Sequence, residues 1–232
     1  MRWLIEFLTS SIGKKLVMSL TGLFLISFLT VHLIGNLQLL YNDGGESFNV
    51  YAKFMTSNPL IKFISIGLYF FILLHAVLGI YIALRNRKAK GQNYAVTTYA
   101  NGSWMSKNMA LLGSLVFIFL CIHLGDFWYK MKFTEQLTMI TYDGVGYEVK
   151  DLYAQVKTKF SQEWVVIIYL IGVVALMLHL IHGFQSAFQS LGINHKKYTP
   201  LIKLTGIAYS ILITIGYASI PIYMLIRSAN TY

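Results

Sequence analysis

The sequence predicts an all-α membrane protein: a bundle of five transmembrane helices forming one domain over residues 1–232. Three observations predict it. The chain is 56% apolar and only 12% charged, whereas soluble domains carry about 25% charged residues. Five apolar stretches are each long enough to cross roughly 30 Å of hydrocarbon, which takes about 20 residues. The basic residues fall on one side of the topology those stretches imply. Three prolines and 15% aromatics suit long helices with interfacial belts.

The first element is "MRWLIEFLTSSIGKK". Its apolar run is short, is broken by Glu6 and lacks a small-residue cleavage site, so it does not read as a signal peptide. Trp3, Leu4, Phe7 and Leu8 predict a short helix lying on the membrane surface. The spans follow as Leu16–Leu40, Leu60–Leu84, Asn108–Lys130, Glu163–Ser190 and Leu201–Arg227. Polar, glycine-bearing segments separate them, and no soluble domain, repeat or low-complexity tract is evident. The connection Met131–Gln162 is longer than topology requires, and "DLYAQVKTKF" within it predicts a short amphipathic helix over that end. Cys121, the lone cysteine, excludes an internal disulfide and a CxxCH haem attachment, and reads as a small core residue.

One side of this topology holds Arg2, Lys14, Lys15, Arg85, Arg87, Lys88, Lys90, Lys107, Lys196, Lys197 and Lys203 against the single acid Glu6. The other side holds eight basic and eight acidic residues, so the whole net charge of +10 sits on one side. That side is assigned to the cytoplasm, with the N-terminus inside and the C-terminus outside. The same basic face could dock an acidic soluble partner.

Five of the six histidines lie within spans: His32, His75 and His123 on the first three, and His179 with His182 on the fourth. His195 sits in the basic "NHKKY" loop and reads as solvated. Ionisable side chains within a bilayer are costly and face the bundle interior. At 1.5 Å per residue, His32 and His123 both lie roughly 23 Å from the inner face, and His75 and His179 roughly 15 Å. The histidines thus form two depth-matched pairs on different helices. Each pair could clamp one metal plane, as two axial nitrogens do in a bis-histidine haem. Zinc would require about four converging ligands. Gly79 and Gly183 follow His75 and His179 at i+4, about 40° round the helix, and leave room for a porphyrin beside each.

"HAVLGIYI" on the second span and "HLIHGFQSAFQSLG" on the fourth resemble the cytochrome b membrane anchors of succinate dehydrogenases and fumarate reductases. The closest likeness is to the single-chain, five-helix, two-haem type. "SSIGKKLVMSLTG", "VHLIGN", "IHLGDFW" and "KYTPLIK" resemble its Bacteroidetes-like branch, and together the motifs cover nearly the whole chain. The resemblance implies two haem b groups, the outer held by His32 and His123 and the inner by His75 and His179. It implies a flavoprotein subunit and an iron–sulfur subunit on the inner face of a bacterial cytoplasmic membrane, with menaquinone as electron partner. No dicarboxylate site, flavin site or nucleic-acid partner is expected in this chain. Some members carry a glutamate two residues before the fourth-helix ligand, associated with proton movement; here that position is Met177.

Around these ligands, His182 and Ser186 are candidates for a haem propionate, as are Lys14, Lys15 and Arg85. His182 lies about 60° round the helix from His179 and roughly 4.5 Å nearer the cytoplasm. Asn36, Gln38 and Asp126, within about a turn outward of the outer pair, are candidates for a quinone headgroup, which needs a hydrogen-bonding group against apolar walls. Two other classes fit the same histidines: the cytochrome b of a formate dehydrogenase or hydrogenase, and a histidine proton-relay transporter without haem.

Overall fold

A computed structural model describes residues 2–89 and 103–230. Lys90, counted above on the basic side, lies outside the described residues. The chain opens with α1 (Arg2–Thr9), whose residues are all exposed and which packs back on the start of α2 (Ser11–Asn36). Ser10 caps α2 by accepting from the Gly13 amide at 3.0 Å, satisfying one of the donors a helix start leaves open. A 3-10 turn (Leu37–Leu40) ends this first span. Next come α3 (Glu46–Ser57) and α4 (Pro59–Ala89). The Asn58 side chain accepts from the amides of Leu60 (2.9 Å) and Ile61 (3.3 Å), and Pro59 sits where a helix tolerates it best.

The third span begins with the single turn α5 (Trp104–Lys107) and α6 (Met109–His123). It continues through a π-helical segment, Leu124–Tyr129, into α7 (Lys130–Phe133). Strands β1 (Met139–Ile140) and β2 (Val149–Lys150) pair antiparallel, a small departure from the all-α expectation. They precede α8 (Leu152–Phe160), the amphipathic helix predicted in this connection. The last spans are α9 (Glu163–Ser190) and α10 (Thr199–Ala229), the latter carrying Pro221 in its interior.

Five stretches are long and apolar enough to cross a membrane: Ser11–Leu40, Pro59–Lys88, Met109–Phe133, Glu163–Ser190 and Thr199–Ala229. Each contains or overlaps a predicted span, so the chain has the form of a multi-pass membrane protein. Helices α2, α4, α6 and α9 form a ring, each packing against the next and α9 closing back on α2. Helix α10 lies outside this ring against α9 and α2. There Tyr209 and Tyr217 donate to the backbone carbonyls of Ile26 (2.8 Å) and Leu29 (2.7 Å) on α2. Exposed leucine, isoleucine and phenylalanine cover the outside of the spans, as lipid contact requires. Cys121 belongs to this outward surface rather than to the core, because its face of α6 points away from the ring.

One end of the bundle is capped. Leu39, Phe48, Tyr153, Val156, Phe160, Val165, Val166, Tyr169, Ile220 and Met224 form its largest apolar cluster, joining α3 and α8 to the ends of α9 and α10. Asn49, 1% exposed, ties the cap together. It donates to Tyr142 Oη (2.8 Å) and Asp151 Oδ1 (2.9 Å) and accepts from the Tyr153 amide (2.9 Å). The opposite end carries the basic residues. Lys15, Arg85, Arg87, Lys88, Lys107, Lys196, Lys197 and Lys203 are exposed there, while Lys14 donates to Tyr81 Oη at 3.3 Å.

Candidate functional site: two histidine pairs across the helix ring

The ring order makes α2 face α6 and α4 face α9 across its interior. Four of the five span histidines meet along these two diagonals. The imidazole centres of His32 on α2 and His123 on α6 lie 5.8 Å apart, at 86°. Those of His75 on α4 and His179 on α9 lie 6.3 Å apart, at 72°. These are the pairings that depth along the helices predicts. The two levels are well separated: the His75 ring lies against Thr21 and Gly22 of α2, about 15 Å along that helix from His32.

Each pair has a distinct surround. The outer pair is held among aromatics. Phe28 stacks on His32 (5.2 Å), and Phe119, Phe127 and Tyr169 surround His123 at 5.5–6.1 Å. Asn36 Nδ2 donates to the His32 carbonyl at 2.7 Å and lies 3.3 Å from His32 Nδ1. At the inner pair, Thr21 Oγ1 lies 3.0 Å from His75 Nδ1, whereas His179 Nδ1 is buried with no hydrogen-bond partner. A buried ring nitrogen without a partner is uncommon in a folded protein and calls for a specific reason.

His182 does not join the inner pair. It lines a separate cavity of about 150 Å³ with Met105, Ile181, Gln185, Lys203 and Ile207. Ser186, one turn further, is half-buried, and Lys15 and Arg85 are exposed at the basic end. Of the outer polar candidates, Gln38 is half-buried in the 3-10 turn. Asp126 is engaged on both oxygens: Lys159 Nζ pairs with Oδ1 at 2.5 Å, and Tyr169 Oη donates to Oδ2 at 3.0 Å. Gln155 also donates to the Asp126 carbonyl, at 3.2 Å. Asp126 is therefore not simply a solvated helix end. It sits in the π-helical segment, a distortion that often marks functional positions. Lys159 and Tyr169 are additions to the site that the sequence reading passed over, since they reach Asp126 only through the fold of α8 and α9. His195 is exposed and accepts from the Lys197 amide at 3.2 Å.

Gly79 and Gly183 do not themselves lie against the imidazoles. A Cβ at Gly79 or Gly183 would meet the ends of Met18 (3.6 Å) or Met109 (3.7 Å), not an imidazole. The glycines against the rings are Gly22 and Gly113, on the neighbouring helices: a Cβ there would stand 3.3 Å from His75 Cε1 or 3.6 Å from His179 Cε1. The sequence carries a signal for them. Met18, Gly22 and His32 on α2 recur at identical spacing as Met109, Gly113 and His123 on α6, with Leu20, Phe28 and Leu29 matched by Leu111, Phe119 and Leu120. His75 and Gly79 on α4 recur as His179 and Gly183 on α9. A weak internal repeat of one helical hairpin is thus present, contrary to the first reading of the sequence.

Two facing imidazoles at each level can hold one metal ion between two nitrogens. Among the described residues no three histidine, cysteine, aspartate or glutamate side chains converge, so a closed four-ligand protein cage is not formed there. Compared with known proteins, the chain matches no protein-family model, no curated protein and no solved structure.

Proposed function

We propose that this chain is a dihaem cytochrome b: the membrane anchor of a succinate:quinone oxidoreductase or fumarate reductase, carrying electrons between an iron–sulfur subunit and menaquinone. The observation that carries the reading is the pair of histidine pairs, each crossing a diagonal of the ring, at two levels. A metal–imidazole bond of about 2 Å on each side of one ion puts collinear nitrogens about 4 Å apart and ring centres roughly 6 Å apart. The spacings of 5.8 and 6.3 Å fit that requirement.

A haem held by such a histidine pair would supply one-electron transfer. The chain's own residues do the rest. His32 with His123, and His75 with His179, would hold the two groups. The aromatics around the outer pair exclude water. Asn36, Gln38 and the Asp126–Lys159–Tyr169 cluster supply polar groups at the rim where a quinone headgroup would lie. Lys14, Lys15, Arg85 and the other basic residues make the opposite end attractive to the acidic surface of soluble subunits, and it is this end that we assign to the cytoplasm. His182, Ser186 and Lys203 lie nearer that end than the inner pair and suit propionates.

The test is the reduced-minus-oxidised spectrum of the purified chain, with haem counted per polypeptide. A b-type spectrum with two haems is expected, falling to one when either His32 or His123 is replaced by alanine. A colourless, folded protein would overturn the reading and favour a histidine proton relay. A two-haem protein that copurifies with a formate dehydrogenase or hydrogenase in place of the flavoprotein would overturn the choice of complex.

A further inference from the structure

The internal repeat sets Thr21 of α2 against Leu112 of α6, each immediately before the glycine that faces an inner-pair imidazole. Both positions are buried, Thr21 at 3% exposure and Leu112 at 2%. Both glycines meet the same edge of their ring: a Cβ at either would lie 3.9 Å from Nδ1. The two imidazoles are therefore presented alike, yet only one finds a polar partner. Thr21 Oγ1 stands 3.0 Å from His75 Nδ1, while His179 Nδ1 has none.

The direction of the Thr21 bond follows from its other contacts. A hydroxyl has one proton. Thr21 Oγ1 lies 2.8 Å from the Val17 carbonyl and 3.0 Å from that of Met18, and both can only accept. With its proton committed there, Thr21 offers a lone pair to His75, whose Nδ1 must bring the hydrogen. In a neutral imidazole the free lone pair then falls on Nε2.

We propose that Thr21 is the positioning residue of the inner histidine pair: it fixes His75 as the Nδ1–H tautomer and sets its ring plane, while Leu112 leaves His179 without that restraint. The tautomer needs no cofactor. Its electronic consequence rests on the haem reading above. A ligating histidine that donates its second N–H becomes a more basic ligand, and losing such a partner typically weakens metal binding 10–100-fold. The two ligands of the inner group are then unequal, one braced and one free.

The test uses the full chain in lipid nanodiscs, labelled with 15N-histidine and kept reduced, with the His75 signals assigned by their loss in His75→Ala. The wild type should show His75 protonated at Nδ1. Thr21→Val, which keeps the shape, should lose the hydrogen-bonded Nδ1–H signal; Thr21→Ser should keep it; Leu112→Thr should create a second one at His179. A His75 protonated at Nε2 in the wild type, or a signal indifferent to Thr21→Val, would overturn the assignment. In the second arm, Thr21→Val should raise the midpoint potential of one haem and speed its dissociation about 10-fold. Thr21→Ser should restore both, and Leu112→Thr should lower the potential. Unchanged potentials with the expected tautomers would overturn the electronic consequence. A chain with the expected tautomers but no haem would sink the cytochrome reading and leave Thr21 in its role.

Discussion

Helix geometry sets His179, and not His182, opposite His75. On a helix, three residues advance the chain by about 4.5 Å and place the later side chain about 60° away. At a side-chain radius of about 5–6 Å this is a lateral shift of about 5–6 Å, so the two imidazoles sit roughly 7 Å apart. Coordination distances hold within about 0.2 Å. His182 can replace His179 only if α9 turns by about 60°, tearing its contacts with α10, α6 and α2. With His75 already 6.3 Å from His179, the expected outcome is sharp. His179→Ala should bind one haem per chain instead of two. His182→Ala should keep both, with at most a shifted inner potential. The assay is pyridine haemochrome absorbance per mole of purified complex, with helical content from circular dichroism confirming folding. Loss of a haem from His182→Ala but not from His179→Ala would refute the reasoning. Full haem content in both single variants would show that α9 rotates more freely than its packing implies.

Four further outcomes are expected. Asp126→Asn should slow quinone turnover while leaving both haem spectra unchanged, and a double-mutant cycle with Lys159→Met should return a coupling of about 1.5–3 kcal/mol, as for hydrogen bonds to charged groups; a coupling near zero would mean that the pair is solvent-screened. Asn49→Ala removes the three hydrogen bonds of a buried side chain, each worth about 0.5–1.5 kcal/mol, and should expose the capped end to limited proteolysis before the spans unfold. Partial burial pushes the Asp43 carboxyl up, but hydrogen bonds from the Ser47 side chain and the Ser47 and Gly45 amides outweigh it and hold the group below the usual range. Its stabilisation is therefore complete above about pH 4 and lost as pH falls through the lowered value, so the protection factors of the Gly45 and Ser47 amides, taken against the intrinsic exchange rate at each pH, should fall in acid, and Asp43→Asn should abolish that fall. Charge reversal at Lys15, Arg85 and Arg87 should let salt release the soluble subunits more readily; equal salt resistance would leave those charges a role in topology alone.

Much of this was legible in the sequence because membrane burial writes strong signals. Apolar runs gave the five spans, and residue counting along rigid helices gave the levels of His32, His75, His123 and His179. What counting could not give was sideways geometry. The diagonal facing of α2 with α6 and α4 with α9 depends on how four helices close a ring. The engagement of Asp126 depends on Lys159 and Tyr169, which are distant in sequence. Cys121 was misplaced because, inside a membrane, an apolar neighbourhood marks lipid contact as readily as core. Helix α3 was missed because its mixed polarity reads as a loop until Phe48 and Asn49 are seen to anchor the cap.

The diagonal pairing has a consequence for how such a protein can be built. The hairpin α2–α4 supplies one imidazole to each level, and so does the hairpin α6–α9. Neither hairpin owns a site, and each is half of both. During synthesis the outer pair becomes complete once the third span has entered the membrane, whereas the inner pair waits for the fourth. A chain cut between residues 89 and 103 and expressed as two pieces should bind nothing through either piece alone and recover both levels when the pieces meet. A single ancestral hairpin of this pattern could have reached the same arrangement only by meeting a second copy of itself.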